Sequence, residues 1–159
     1  QDALDFAMAT VGIADRPLRD RLMNRYLGIS AYPEVGNSLR QLSASGFKLA
    51  ILSNGTPGML ASAVQNAGLD GLFDAVLSVE EVGVFKPDPS VYQLAVERLT
   101  VSPQQICFLS SNGWDAFSAK AFGFHVLWCN RFSQAPERIP EMPDGEIRDL
   151  SELPTCLES

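Results

Sequence analysis

The sequence predicts an α/β fold, a parallel sheet layered by helices, behind a region that is helical alone. Three observations predict it. From residue 34 a unit of helix, glycine, short apolar strand and polar strand end repeats along the chain. The strands of that unit are apolar on both faces, as a sheet covered by helices on both sides requires. Ahead of it the only periodicity is helical, and the segment SAYPEVG separates the two patterns.

The helical part is expected to hold two helices, 2–11 and 15–27. In DALDFAMATVG, Leu4, Ala7, Met8 and Val11 recur at helical spacing behind Asp2. In DRPLRDRLMNRYLG, Leu18, Leu22, Tyr26 and Arg25 do the same, and Pro17 suits a first turn. Pro33 pushes the residue before it out of the helical region, so SAYPEVG reads as a hinge between residues 1–31 and 32–159. Beyond it, helix 34–45 closes at Gly46 and the strand KLAIL (48–52) stops at SNGTPG. Helix 57–67 closes at Gly68 before the strand DAVLSV (74–79). A third helix, PSVYQLAVERL (89–99), leads to the strand QICFLSS, and a fourth, WDAFSAKAFG, leads to HVLWCN. The tail from Phe132, rich in proline and acids, is expected to be irregular apart from one short element around DLSELP.

Composition narrows the function classes. At 159 residues with 46% hydrophobic content, the chain has the length of one ordinary domain and enough apolar residues for a real core. No apolar run approaches the roughly 18 to 20 residues of a membrane span, and no leader pattern opens the chain, so a soluble cytoplasmic protein is the expectation. A net charge of −7, spread rather than blocked, argues against nucleic acid and anionic membranes as partners. Three cysteines, Cys107, Cys129 and Cys156, are an odd number without metal-ligand spacing, so neither a disulfide framework nor a zinc site is expected. The single histidine, His125, opens a strand-like run and reads as a strand-start residue rather than a base.

Sites in parallel sheets lie at the carboxyl ends of the strands. Three strands end in polar groups there: Ser53-Asn54, then Ser110-Ser111-Asn112 with Asp115, then Asn130-Arg131. The loop after the second strand carries Lys86. Taken singly, each has an ordinary explanation. Ser53, Asn54 and Gly55 read as an N-cap and turn, Lys86 as a solvated loop lysine, and Asp115 as a first-turn acid favoured by the helix dipole. Their convergence on one edge of the sheet is what marks a candidate site.

The combination of ILSNGTP, VFKPDPSVYQLA and FLSSNGWDAFSAKAFGF resembles the haloacid dehalogenase superfamily, in particular its L-2-haloacid dehalogenase branch, over essentially the whole chain. The resemblance implies a Rossmann-like core over 32–159 and part of a helical cap domain over 1–31. Phosphatases of that superfamily end the corresponding strand in D-x-x-x-D, two acids that hold Mg²⁺ between a phosphate and the nucleophile. Here Ser111 stands four before Asp115, and one carboxylate is a poor magnesium cage. That favours a metal-independent, cofactor-free dehalogenase of small 2-haloacids over a phosphatase. The roles implied are as follows. Ser53 would bind the substrate carboxylate, Asn54 would donate to the departing halide, and Trp114 would wall the site. Lys86, supported by Tyr92, would stabilise a nucleophilic aspartate. Ser110, Asn112 and Asp115 would fix Lys86 and position the hydrolytic water. Resemblance also suggests a homodimer through the cap helices.

One departure from the family pattern bears on activity. The family's nucleophile is an aspartate ending a first strand in a D-x-Y-G-T-like context, followed by an arginine at the halide, and neither element occurs in these residues. Asp2, Asp5, Asp15 and Asp20 do not follow apolar strands. The expectation is a truncated carboxyl-terminal portion of a longer protein, inactive by itself. The alternatives are a related hydrolase or phosphatase, and a non-catalytic fragment or subunit that borrows its missing strand from a partner chain.

Overall fold

The computed structural model describes residues 2–157. Two helices, α1 (Asp2–Thr10) and α2 (Arg16–Arg25), open it. Asp15 caps α2 by accepting the Leu18 N–H at 2.9 Å. The Arg19 guanidinium grips the Asp5 carboxylate through two hydrogen bonds, tying α2 to α1. Only Met8 of α1 is buried, and α2 buries no residue fully. The predicted stripe is therefore largely open to solvent: Leu22, Tyr26 and Val11 are all exposed. This pair of helices reaches the rest of the molecule through a 3-10 turn, Tyr26–Gly28, where the Asn66 amide donates to the Leu27 carbonyl.

The mixed part follows the predicted order: α3 (Val35–Ala44), β1 (Ala50–Ser53), α4 (Pro57–Asn66), β2 (Ala75–Ser78), α5 (Pro89–Leu99), β3 (Cys107–Ser110), α6 (Gly113–Phe122) and β4 (His125–Cys129). Two elements close it, β5 (Gly145–Ile147) and α7 (Leu153–Leu157). β5 corrects the expectation of an irregular tail. Three residues are too few to show alternation, but Glu146 and Ile147 pair with Trp128 and Cys129 in parallel register. No helix among the described residues is long and apolar enough to cross a membrane.

Among the described residues all strand pairs are parallel, but they form two sheets rather than one: β1-β2 and β3-β4-β5. An aspartate fixes the register in each. Asp74, just before β2, accepts the Leu49 N–H at 2.8 Å and donates its own N–H to the Leu49 carbonyl at 2.8 Å. Asp144, just before β5, does the same to Val126, at 2.8 and 2.9 Å. The strand in the middle of its sheet, β4, alternates as a doubly covered strand must. Val126 and Trp128 enter a core with Tyr92, Phe124 and Leu77 beneath α5 and α6. Leu127 and Cys129 face the other way, onto Leu42, Ile147 and Leu153. Three helices cap themselves on sequence signals: Thr56 before Pro57, Asp88 before Pro89, and Gly123 in the left-handed region (φ 113°) at the end of α6.

Candidate active site

The carboxyl ends of β1, β2 and β3 bring Ser53, Ser78 and Ser110 to one edge. In the turn after β1 both backbone polar groups of Gly55 are bonded to serine side chains. Ser53 Oγ accepts the Gly55 N–H at 3.0 Å, and the buried Ser78 hydroxyl donates to the Gly55 carbonyl at 2.8 Å. Thr56, not Ser53 or Asn54, caps α4, so the capping explanation for those two residues does not hold. Asn54 instead reaches across to the β2 loop, where its Oδ1 accepts the Lys86 backbone N–H at 3.0 Å. That bond orients the amide, turning its Nδ2 end away from Lys86 as a donor.

Lys86 and Asp115 form the centre. Their side chains are 7% and 6% exposed, and Lys86 Nζ donates to Asp115 Oδ2 at 3.0 Å. Tyr92, on the first turns of α5 and buried, donates its phenol to Asp115 Oδ1 at 2.9 Å. Both oxygens of the acid are thus held by charge-assisted bonds. The ammonium also lies 4.8 Å from the centroid of the Phe108 ring, a cation–π contact. Burial pushes the Lys86 pKa below its ordinary value, with Asp115 opposing the shift by charge and hydrogen bond. Burial, the Asp115 charge and their hydrogen bond together push the Tyr92 phenol well up, so it stays a donor. Burial also pushes the Cys107 thiol up to about 11. It is therefore protonated near neutrality and is no nucleophile.

The predicted residues divide by what they touch. Lys86, Tyr92, Asp115 and Asn54 are bonded to one another. Ser110 Oγ accepts the Asn112 N–H at 3.2 Å, which shapes the turn between β3 and α6, and Trp114, in the first turn of α6, is 36% exposed. Among the described residues no hydrogen bond joins Ser110 or Asn112 to Lys86; both lie on the turn that leads to Asp115. His125 begins β4 with its Nδ1 3.4 Å from Asp144, at the opposite end of the strands from this site. Three participants went unread in the sequence. Phe108 is one of many apolar strand residues, Ser78 one of several strand-end serines, and Glu137, whose carboxylate meets Gly113 and Trp114, lies in a tail without periodicity.

Beside this centre, among the described residues, β1 and β3 pair on one edge only, with β2 and β4 respectively. Their facing edges line a cavity of about 830 Å³ that also takes in Phe108, Ser110, Ser111 and Arg131. β3 is half-buried throughout and β1 from Ile51 to Ser53, with Ala50 exposed, whereas β4 is buried from Val126 to Cys129. Arg131 ion-pairs with Glu34, and its guanidinium stacks 4.0 Å from the Tyr32 ring centroid, which ties the predicted hinge to the sheet. Among the described residues no cluster of three or more His, Cys, Asp or Glu side chains is arranged to hold a metal ion.

The haloacid dehalogenase-like hydrolase family matches residues 9–123. The (S)-2-haloacid dehalogenase 1 of Pseudomonas sp. (strain CBS-3) is 43% identical over 157 residues, covering 98% of this chain and 69% of that protein. The crystal structure of the L-2-haloacid dehalogenase RSc1362 superposes with a TM-score of 0.93 at 42% identity, over 99% of this chain and 70% of that one. The Xanthobacter autotrophicus L-2-haloacid dehalogenase with chloropropionic acid covalently bound gives a TM-score of 0.88 at 35% identity, over 99% and 74%.

Proposed function

The chain belongs to the haloacid dehalogenase-like hydrolase family, and from that premise we propose that it serves the hydrolytic dehalogenation of L-2-haloacids to D-2-hydroxyacids. The observation that carries the reading is the buried Lys86–Asp115–Tyr92 centre beside Asn54. It is an ammonium fixed in a nearly dry site, next to an amide donor. In the proposed reaction an aspartate oxygen attacks C2, and the carbon–halogen bond breaks with its electron pair leaving as halide, inverting C2. Water then attacks the ester carbonyl and the acyl carbon–oxygen bond breaks; the hydroxyacid oxygen leaves with one proton, the aspartate is regenerated as a carboxylate, and the second proton passes to solvent. Asn54 Nδ2 stabilises the departing halide, Ser53 binds the substrate carboxylate, and Trp114 walls the site. Lys86 holds the nucleophile, while Ser110, Asn112 and Asp115 position Lys86 and the water. Donors placed before charge develops lower the barrier electrostatically.

The nucleophile itself is proposed to come from polypeptide outside these 159 residues, on a strand seated in the cavity between β1 and β3. Such a strand would satisfy the open edges of both. On this reading the 159-residue chain alone does not turn over substrate, residues 1–31 belong to a helical cap, and the exposed apolar residues of that cap meet a second copy. Metal-free operation is supported by Asp115, whose two oxygens are already taken by Lys86 and Tyr92, and by Ser111 at the position of a second acid.

Chiral analysis of the product tests the reading. L-2-chloropropionate should give D-lactate, and D-2-chloropropionate should give nothing. Turnover that consumes both enantiomers, or retains configuration, would contradict it. A phosphatase would instead hydrolyse a phosphate ester in a magnesium-dependent manner.

A further inference from the structure

We propose that Glu137 is a positioning residue of the site: its carboxylate caps the amino end of α6 in place of Asn112, holding the turn that carries Asn112, Trp114 and Asp115. Three observations on that turn meet. Asn112 has the extended backbone of an N-cap residue (φ −86°, ψ 119°), yet its side chain makes no capping bond. Glu137, from the proline-rich segment 23 residues further on, supplies the missing acceptor, its Oε1 taking the Trp114 N–H at 3.1 Å. The approach is also close at Gly113, where an added Cβ would stand 2.9 Å from Glu137 Oε1 and 3.4 Å from its Cδ. The glycine is what allows a carboxylate to come down onto the helix end.

The physical consequence concerns geometry and charge. The first N–H groups of a helix have no partner within it, and an anion placed there is favoured by the helix dipole. An ordinary N-cap would use the Asn112 side chain for this and turn it back onto α6. With Glu137 in that place, Asn112 is left for the site, and the turn is pinned from outside. The Trp114 carbonyl is engaged as well, accepting the Ser118 hydroxyl at 2.6 Å. The tail segment therefore takes part in the site although it holds none of the residues that form its centre.

The kinetic test rests on the dehalogenase reading, so it is joined to one that does not. In the form of the protein that releases halide from L-2-chloropropionate, Glu137→Ala should lower kcat about tenfold with KM changed less than about twofold, since small misplacements of reacting groups act on the chemical step. Glu137→Gln, which keeps an acceptor oxygen, should recover kcat to within about threefold of the unsubstituted protein. Gly113→Ala should reproduce the loss and add nothing to Glu137→Ala, because both remove one contact. Amide exchange at Trp114, read on the 159-residue chain, should be faster in Glu137→Ala than in Glu137→Gln. Unchanged kcat in Glu137→Ala, or equal Trp114 exchange in all variants, overturns the role. Absence of halide release from the unsubstituted protein would sink the dehalogenase reading instead, and the exchange measurement would still decide the capping contact.

Discussion

Asp115 is an acid whose two oxygens are both committed, to Lys86 at 3.0 Å and to Tyr92 at 2.9 Å. Removing either partner leaves part of a buried carboxylate unsatisfied. Tyr92→Phe, which keeps the ring and its packing, should cost about 1 to 3 kcal/mol in denaturant unfolding. Lys86→Ala should cost more, about 3 to 5 kcal/mol, because it strands a buried charge. Loss of less than half that from Lys86→Ala would mean water reaches Asp115 freely. The lowered Lys86 pKa also sets a pH dependence. As pH rises through its folded value the ammonium becomes neutral, so halide release should fall on an alkaline limb beginning below pH 10.5. The effect on stability has the opposite sign. Between the folded value and 10.5 the unfolded chain binds more protons at this group, so its contribution to stability improves as pH rises. A rate profile flat through pH 10.5 would contradict the role of the ammonium.

At the scale of elements, the paired aspartates at the strand starts make the most direct prediction. Asp74 and Asp144 each accept the N–H of a neighbouring parallel strand and return their own N–H to the same residue's carbonyl. Asp144 is further bound by Lys120 at 2.7 Å. Asp144→Ala should therefore destabilise by about 1 to 3 kcal/mol, with amide exchange at Val126 rising first. The element order was legible in the sequence because its signals are local: apolar strands such as HVLWC, and the Thr56-Pro57 and Asp88-Pro89 helix starts. β5 was not legible, since three residues carry no period and the strand exists through its neighbour β4 and the Asp144 clamp. The candidate site was legible where it follows strand ends. Asn54, Lys86 and Asp115 were read from the strand ends and the loop after β2, and Tyr92 was implied only by the family resemblance, whereas Glu137 meets the start of α6 from a segment whose sequence gives only proline and charge. The exposure of the α2 face was not legible for a related reason. Periodicity reports which residues share a face, not whether anything among the described residues covers it.

At the scale of the whole molecule, two parallel sheets share the helix α5, whose residues Tyr92 and Ala95 pack with Leu52 and Leu77 on one side and Phe108 and Val126 on the other. Between the sheets lies the cavity bordered by β1 and β3, and its Phe108 wall is the one that receives Lys86. On the proposed reading the Lys86–Asp115 centre and the cavity would serve one site, joined through Phe108, which lines the cavity and carries the ammonium on its ring. On the same reading no metal would be needed, because Lys86 would supply the cation that an acid presented by a strand in the cavity needs. The measurement that tests this most directly is halide release from L-2-chloropropionate in the presence of EDTA, by the natural protein and by Lys86→Ala, at a temperature where denaturation curves show both folded. The account predicts release that EDTA does not reduce and that Lys86→Ala abolishes. Release that stops on chelation and returns with magnesium, or that persists in folded Lys86→Ala, would contradict it.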